Sequence, residues 1–136
     1  MRKTTYAFLS LLLWTIGFNV WAQHEHDFVN GICTYDDCLP PAKFEEPDQA
    51  EDGYFELRNA GNVEWISYMV SQGRLDLYCR LMNDIDFDGI ENLHSPIGPD
   101  NGKKYNGTFD GQGFRIKNMI INRPNSEKHG FFGSLR

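Results

Sequence analysis

The segment Asn106–Ile121, NGTFDGQGFRIKNMII, decides the fold prediction. Two apolar runs flank the turn-forming residues Asp110, Gly111, Gln112 and Gly113. Glycine adopts left-handed backbone conformations at little cost, so an Asp-Gly turn between β-prone runs indicates a change of chain direction. No helical pattern follows these glycines, which makes them turn residues and not a phosphate-binding loop. The segment is therefore predicted to be one coil of a stacked β architecture.

A weak internal repeat extends this interpretation. Phe87-Asp88-Gly89 recurs 22 residues later as Phe109-Asp110-Gly111, and Phe132-Gly133 follows after another 23. A second alignment sets Leu81-Met82-Asn83 against Ile116-Lys117-Asn118, an offset of 35, and the sequence does not choose between them. A period in the low twenties with glycine turns is typical of solenoids. The predicted fold is mainly β: the start of a right-handed parallel β-helix or solenoid, with two to three coils capped by one N-terminal amphipathic helix.

The capping helix is predicted over Asn59–Ser71. Asn59 suits the N-cap because its side chain can accept from the unpaired amides of the first turn, and Gly73 is a stop signal. The apolar residues fall on one face: Val63, Ile66, Met69 and Val70. The short aromatic stretch Gly53–Leu57 is predicted to be the first strand.

Leu75–Phe87 alternates between apolar and polar residues, which predicts a half-buried strand with room for one bend. Cys79 lies on the apolar side and is interpreted as a buried structural thiol. Asn83 is the one polar residue predicted to point inward. Tyr78, Tyr105 and the acidic residues of the polar side are the predicted binding surface.

Residues 1–22 have the pattern of a cleaved signal peptide, with basic residues before the apolar run Ala7–Phe18 and cleavage near Gln23. An uncleaved membrane anchor is the alternative. Without residues 1–22 the chain has 11 Lys and Arg and 19 Asp and Glu, a formal net charge of −8. Such a charge argues against nucleic acid and anionic membranes as partners, because both attract basic patches. The sequence predicts a secreted or cell-surface protein.

Residues 23–52 form a proline-rich and acidic leader without a sustained period, which predicts a loop-rich segment. Cys33 and Cys38 are candidates for a disulfide in an oxidising compartment. Alternatively, the two cysteines could bind zinc together with His24 and His26. Free or otherwise paired thiols are the third possibility. None of the three implies catalysis.

No group of residues indicates catalysis or a cofactor. Asp84, Asp86 and Asp88 resemble the start of a calcium loop, but Ser95 stands where a bidentate Glu is required. Asp84 and Asp86, with Arg80 and Arg115, could share an outward face, as solvated strands also do. We therefore assign no catalytic, cofactor or metal residues, and interpret Asp110, Gly111 and Gly113 as structural turn residues.

The motif GTFDGQGFRIKNMII followed by GFFGSL resembles the GLUG-type repeats of exported bacterial proteins, especially those of Bacteroidetes-like organisms. The resemblance covers roughly residues 53–135 and implies a right-handed β-helix that is secreted or displayed on the surface. Such repeats occur in adhesin-like and IgA-peptidase-associated proteins and are not known to be catalytic. The leader resembles a short upstream module that usually reads C-x2-C, whereas C-x4-C stands here. The matching residues are Gly107, Thr108, Phe109, Asp110, Gly111, Gly113, Ile116, Ile121, Gly130, Phe132 and Gly133.

These observations predict three parts: a signal peptide (1–22), a Cys-containing leader (23–52), and a helix with β repeats (53–136) that stops inside a repeat. The expected function is an exported, surface-associated, non-catalytic module for adhesion or for contact with glycans or proteins. The alternative is a fragment of a carbohydrate-active or IgA-peptidase-associated enzyme whose active part is missing. Expected partners are glycans, host or surface proteins, or a second copy through edge-to-edge association. Neither nucleic acid nor, after signal cleavage, a membrane is expected.

Overall fold

The computed structural model describes residues 25–100 and 102–136. The predicted signal peptide and His24 therefore lie outside the described residues. Among the described residues, no helix is long and apolar enough to cross a membrane. In chain order the elements are β1 (Phe28–Val29), β2 (Ile32–Cys33), β3 (Asp48–Gln49), β4 (Phe55–Leu57), α1 (Ala60–Ser71), β5 (Tyr78–Leu81), β6 (Ile85–Asp86), β7 (Thr108–Asp110) and β8 (Ile116–Lys117).

The strands form three separate sheets. β1 and β2 make an antiparallel hairpin, and β6 and β8 make a short parallel pair. The largest sheet has the order β3-β4-β5-β7, in which β3 is antiparallel to β4 and the other neighbours are parallel. One core joins α1 to this sheet and to the loops that follow it. Its fully buried side chains include Leu57, Ile66, Leu81, Phe87 and Ile97.

The prediction of a right-handed parallel β-helix is wrong. The described residues form small antiparallel, mixed and parallel sheets with strands of two to four residues, and no parallel solenoid. Both predicted registers also fail: Phe109 pairs with Cys79 and Ile116 with Ile85, so the offsets are 30 and 31 residues. The Asp-Gly turn is present at Asp88 and Gly89, which have φ of +57° and +68°. In the opening segment the left-handed residues are instead Gln112 and Gly113, with φ of +50° and +79°. Turns of this kind fix the local path only. Paired residues are 24 positions apart between β4 and β5 (Phe55 with Cys79) but 30 apart between β5 and β7 (Cys79 with Phe109), so the repeat is not constant.

The helix prediction is confirmed. The Asn62 amide donates to Oδ1 of Asn59 at 2.8 Å, which makes Asn59 the N-cap of α1. At the other end, Gly73 has φ of +104°. The amides of Gly73 and Arg74 donate to the carbonyls of Val70 and Met69, respectively, both at 3.0 Å. This double closure is a Schellman motif, and it satisfies the last carbonyls of the helix.

The alternating stretch Leu75–Phe87 buries the predicted side, since Leu77, Cys79, Leu81, Ile85 and Phe87 are all buried. The chain bends between β5 and β6. Asn83 lies at this bend and is exposed, so the prediction that it points inward is wrong. Its Nδ2 donates at 2.9 Å to the carbonyl of Arg58 and joins the bend to the end of β4.

The leader is more ordered than predicted, because residues 28–33 form a hairpin. Asn30 and Gly31 occupy the two-residue turn with φ of +51° and +74°, the geometry that Asn-Gly adopts in tight hairpins. The hairpin closes the N-terminus of α1, since the Gly61 amide donates to the Asn30 carbonyl at 2.9 Å and the Ala60 amide to its Oδ1 at 3.2 Å. Asn30 Nδ2 also donates at 2.7 Å to the carbonyl of Asp86. The leader is thus part of the folded unit.

Candidate functional site

The outward side of the four-stranded sheet carries two rows of polar and aromatic side chains. Phe55, Leu57, Cys79 and Leu81 point into the core, so the residues between them point outward. In the register of the sheet, Glu56 lies beside Arg80 and Arg80 beside Asp110, while Tyr78 lies beside Thr108. We call this surface the outer face; it comprises Asp52, Tyr54, Glu56, Tyr78, Arg80, Thr108 and Asp110.

Arg80 is the centre of the outer face. One guanidinium nitrogen lies 2.7 Å from Oδ2 of Asp52, and the other lies 3.8 Å from Oε2 of Glu56. Its Cζ is also 5.3 Å from the centroid of the Tyr54 ring, which is a cation–π contact. Three neighbours therefore fix the orientation of one arginine, so that its remaining N–H groups point in defined directions.

The two tyrosines form a continuous aromatic surface. The ring centroids of Tyr54 and Tyr78 are 5.7 Å apart and the rings are tilted by 31°. Tyr78 is 48% exposed, whereas Tyr54 is partly covered by the guanidinium of Arg80. An exposed ring with a neighbouring ring offers flat apolar area at low conformational cost, because an aromatic side chain has only two torsions to fix.

The hydrogen bond from Arg80 holds the pKa of Asp52 below its usual value of 3.8, and the Tyr54 amide acts in the same direction. The same hydrogen bond raises the pKa of Arg80. Because the folded-state pKa of Asp52 is lowered, the ion pair is complete above pH 3.8 and breaks only as the pH falls through the lowered value. The outer face therefore keeps both charges at neutral and mildly acidic pH.

Replacing Arg80 with Gln should raise the pKa of Asp52 towards 3.8, because the first and largest cause of the lowering is removed. The measurement is an NMR titration of the Asp52 side-chain carboxyl carbon in both proteins. Arg115→Gln is the matched control, since Arg115 contacts Asp84 through its backbone amide. An Asp52 titration unchanged by Arg80→Gln would contradict the assigned cause.

Tyr105 does not belong to this surface. The prediction that it is exposed is wrong, because the side chain is 3% exposed and its hydroxyl donates to the Leu77 carbonyl at 2.7 Å. Burial raises the pKa of Tyr105. Beside it, burial raises the pKa of the Cys79 thiol to about 12, so this sulfur stays protonated at neutral pH. Cys79 is therefore the buried structural thiol that the sequence indicates and is no nucleophile.

The acidic residues Asp84, Asp86 and Asp88 are each bound to other parts of the chain. Asp84 accepts from the Arg115 amide at 2.9 Å, and Asp88 accepts from Asn30 Nδ2 at 3.1 Å. The hydrogen bond from Asn118 Nδ2 to Asp86 is the largest cause of the lowered pKa of Asp86. No metal-ligating group of the described residues includes them. Arg80 forms its ion pairs with Asp52 and Glu56, and Asp84 forms its ion pair with Lys117.

The turn residues of the opening segment shape the sheet edge. Oδ1 of Asp110 accepts from the Gln112 amide at 2.9 Å, and Gly113 has φ of +79°. Nε2 of Gln112 then reaches back to the Leu81 carbonyl at 2.8 Å. Asp110 and Gly113 act on the backbone path here, and Gly111 has open space around it.

A buried acid–imidazole pair was missed by the sequence analysis. Glu64 of α1 is 2% exposed, and its Oε1 lies 2.5 Å from Nδ1 of His94, which is fully buried. The second polar atom of each side chain also has a hydrogen-bond partner. His94 Nε2 lies 2.9 Å from the Phe131 carbonyl, and the Ser95 amide donates to Oε2 of Glu64 at 3.0 Å. A cleft of about 410 Å³ adjoins Glu64. Glu64 and His94 are 30 positions apart, and no sequence pattern at that spacing indicates a buried pair.

The leader holds the remaining cluster. Cys33 and Cys38 are joined by a disulfide in the structure. Nδ1 of His26 lies 3.4 Å from Sγ of Cys33 and 3.3 Å from Sγ of Cys38. These three side chains are the one group of three or more potential metal ligands within residues 25–100 and 102–136. The fourth candidate, His24, lies outside the described residues.

No protein-family model, no curated protein sequence and no solved structure matches this chain.

Proposed function

We propose that this protein is an exported, surface-associated, non-catalytic module that binds a neutral glycan on its outer face. The observation that carries the proposal is the Tyr54–Tyr78 aromatic surface, in which Tyr78 is exposed, beside an arginine held by Asp52 and Glu56. The signal-peptide pattern of residues 1–22 and the GLUG-like motif of residues 107–133 support export and surface display.

A glycan fits the shape and chemistry of this surface. A sugar ring presents a flat face of C–H groups that can lie on the exposed ring of Tyr78. Its hydroxyl groups both donate and accept, so they can bond to carboxylates and to a guanidinium at the same time. The outer face offers both kinds of partner within one row: Glu56, Arg80 and Asp110.

The charge of the outer face selects for neutral glycans. Asp52, Glu56 and Asp110 carry three negative charges against the one positive charge of Arg80. A polyanion such as a uronic-acid polymer or a nucleic acid would meet net repulsion here, in line with the −6 charge of the whole chain. The preferred ligand is therefore an uncharged oligosaccharide.

The non-catalytic assignment is supported by how the acidic groups are used. Asp84, Asp86 and Asp88 bond to the chain itself. Glu64 and His94 are buried and bond to each other and to the backbone. An acid or base of a glycosidase must exchange a proton with the scissile bond, whereas each of these groups already shares a hydrogen bond with another part of the chain.

Tyr78→Ala is the decisive variant. On an array of neutral and anionic oligosaccharides, the wild-type protein should bind neutral members. Tyr78→Ala should weaken binding to the best of them roughly tenfold, which corresponds to about 1.4 kcal/mol. Tyr35→Ala is the matched control, because Tyr35 is 45% exposed in the leader and 48% of Tyr78 is exposed. The control variant should bind like the wild type.

Two results would overturn the proposal. Equal glycan binding by Tyr78→Ala and Tyr35→Ala would show that the outer face is not the binding site. Release of reducing sugar from any polysaccharide by the wild-type protein would instead show an enzyme, the alternative that the sequence left open.

Edge-to-edge self-association stays a prediction. β7 is the terminal strand of its sheet among the described residues, so one side of its backbone is without a neighbouring strand. Light scattering at increasing protein concentration would reveal association with a second copy as a rise in molar mass. A constant monomer mass would argue against it.

A further inference from the structure

We propose that His26, Cys33 and Cys38 form a zinc site that is filled when the two cysteines are thiols, and that the disulfide is the alternative state of the same residues. The juxtaposition that carries this inference is one imidazole nitrogen within 3.4 Å of both sulfurs. The proposal is independent of glycan binding, since it concerns the leader and not the outer face.

The nitrogen–sulfur distances are those of a metal centre. Zn–S bonds of about 2.3 Å and Zn–N bonds of about 2.0–2.1 Å at a tetrahedral angle hold nitrogen and sulfur about 3.5 Å apart. The structure has 3.4 and 3.3 Å for Nδ1 of His26 to the two sulfurs. The imidazole is therefore already placed, and only the two sulfurs must separate, to about 3.8 Å.

The fold of the leader brings the ligands together. Cys33 ends β2, and its amide donates to the Lys43 carbonyl at 2.8 Å. Residues 34–37 then turn, closed by the bond from the Cys38 amide to the Tyr35 carbonyl at 3.2 Å. The spacing C-x4-C lies within the range of structural zinc sites. His26 precedes β1 and lies across the hairpin, with its ring stacked 5.7 Å from that of Phe28.

Access and charge both favour a cation at this place. Both cysteines are buried, with Cys33 6% and Cys38 5% exposed, but His26 is exposed and gives an entry path. Exposed acidic residues flank the three ligands along the chain and lower the electrostatic cost of a divalent ion: Glu25, Asp27, Asp36 and Asp37. With three protein ligands, a water molecule would complete a tetrahedral centre.

The two states interconvert by a balanced exchange. A dithiol reductant supplies two electrons and two protons: the Cys33–Cys38 bond breaks, both cysteines become thiols, and the reductant becomes a disulfide. Zn²⁺ then displaces the two thiol protons and binds both thiolates and the neutral imidazole of His26. In the reverse direction a small-molecule disulfide accepts two electrons from the two thiolates and, with two protons, becomes two thiols, so that the Cys33–Cys38 bond forms again and Zn²⁺ is released.

The test compares reduced and oxidised protein under anaerobic conditions. Reduced wild-type protein titrated with Co²⁺ should develop thiolate-to-cobalt absorption at one ion per chain, and Zn²⁺ should displace it. The oxidised protein should show no such band. Zn²⁺ should also slow alkylation of Cys33 and Cys38 in the reduced protein.

His26→Gln should weaken zinc binding by at least about tenfold, and Cys33→Ser should abolish the cobalt band. His129→Gln is the matched control, because His129 is an exposed histidine far along the chain. Circular dichroism of each variant checks that the fold is kept. Reduced wild-type protein that binds Zn²⁺ no more tightly than Cys33→Ser would overturn the proposal, as would equal affinities of His26→Gln and His129→Gln.

Discussion

Replacing Glu64 with Ala should lower the free energy of unfolding by about 3–5 kcal/mol, because it leaves one member of a buried pair without its partner. Glu64 Oε1 lies against Nδ1 of His94, and Oε2 accepts from the Ser95 amide. His94 is fully buried and would lose a hydrogen bond away from solvent, and the Ser95 amide would lose its acceptor. For a domain with about 5–15 kcal/mol of stability, this is a large fraction.

The hydrogen-bond pattern explains why both partners matter. The Phe131 carbonyl can only accept, so Nε2 of His94 carries a proton and donates to it. The contact between Nδ1 and Glu64 then holds one further proton, whichever atom carries it. Glu64 thus joins α1 to the loop around residue 95 and, through His94, to the segment around residue 131.

Urea denaturation monitored by fluorescence measures this effect as a shift of the midpoint at constant slope. Glu127→Ala is the control, since Glu127 is exposed and a surface substitution should change stability by at most about 0.5 kcal/mol. Glu64→Gln should lie between the two, because its amide oxygen can still accept one of the bonds. If Glu64→Ala lowers the free energy of unfolding by less than about 1 kcal/mol, the Glu64–His94 pair does not stabilise the fold as expected.

The second large effect is expected from Gly61→Ala. In a helix, Ala is normally more favourable than Gly by about 1 kcal/mol. At this position a methyl group would overlap the carbonyl of Gly31 in the hairpin turn. The turn is also tied to the helix by the hydrogen bond from the Gly61 amide to the Asn30 carbonyl, so it cannot simply move away. We therefore expect a loss of about 1–3 kcal/mol, the usual cost of overpacking.

The informative result is whether Gly61→Ala raises or lowers the free energy of unfolding. Gly111→Ala is the matched control, because a methyl group at Gly111 meets nothing within 4 Å and the residue has no left-handed φ. Its stability should change by at most about 0.5 kcal/mol. Hydrogen exchange should also quicken in the hairpin of Gly61→Ala, where the close approach is lost. A stabilised Gly61→Ala protein would mean that the hairpin does not rest on α1.

Local signals predicted the elements that depend on neighbouring residues. Asn59 and Gly73 bound the helix because caps act within a few positions of the chain. The alternation through Leu75–Phe87 predicted burial because each side chain of a strand faces opposite to the next. The same logic would have found the hairpin, since Asn30-Gly31 is a strong tight-turn signal that the proline-rich surroundings hid.

Long-range features could not be predicted in this way. The β-helix prediction treated two Asp-Gly turns as the period of a repeat. Strand pairing depends instead on which side chains are buried together, and Phe109 pairs with Cys79 and not with Phe87. Tyr105 was assigned to the surface by residue type, although a buried carbonyl of Leu77 accepts from its hydroxyl. Of the outer face, only Tyr78 was named as a binding residue; its grouping with Tyr54 and Asp52 requires the register of the sheet.

The contacts of Asn30 also bear on how fast the chain folds. This one residue bonds to Ala60 and Gly61 on the helix and to Asp86 and Asp88 beyond β5, so its partners lie 30 to 58 positions away along the chain. Each such contact requires closure of a long loop before it returns any stabilisation, which slows folding relative to helical proteins of similar size. If these bonds form after the rate-limiting step, changes at Asn30 will mainly speed unfolding. The contacts of the hairpin would then form late in folding, and their strength would set the unfolding rate and so the lifetime of the folded state.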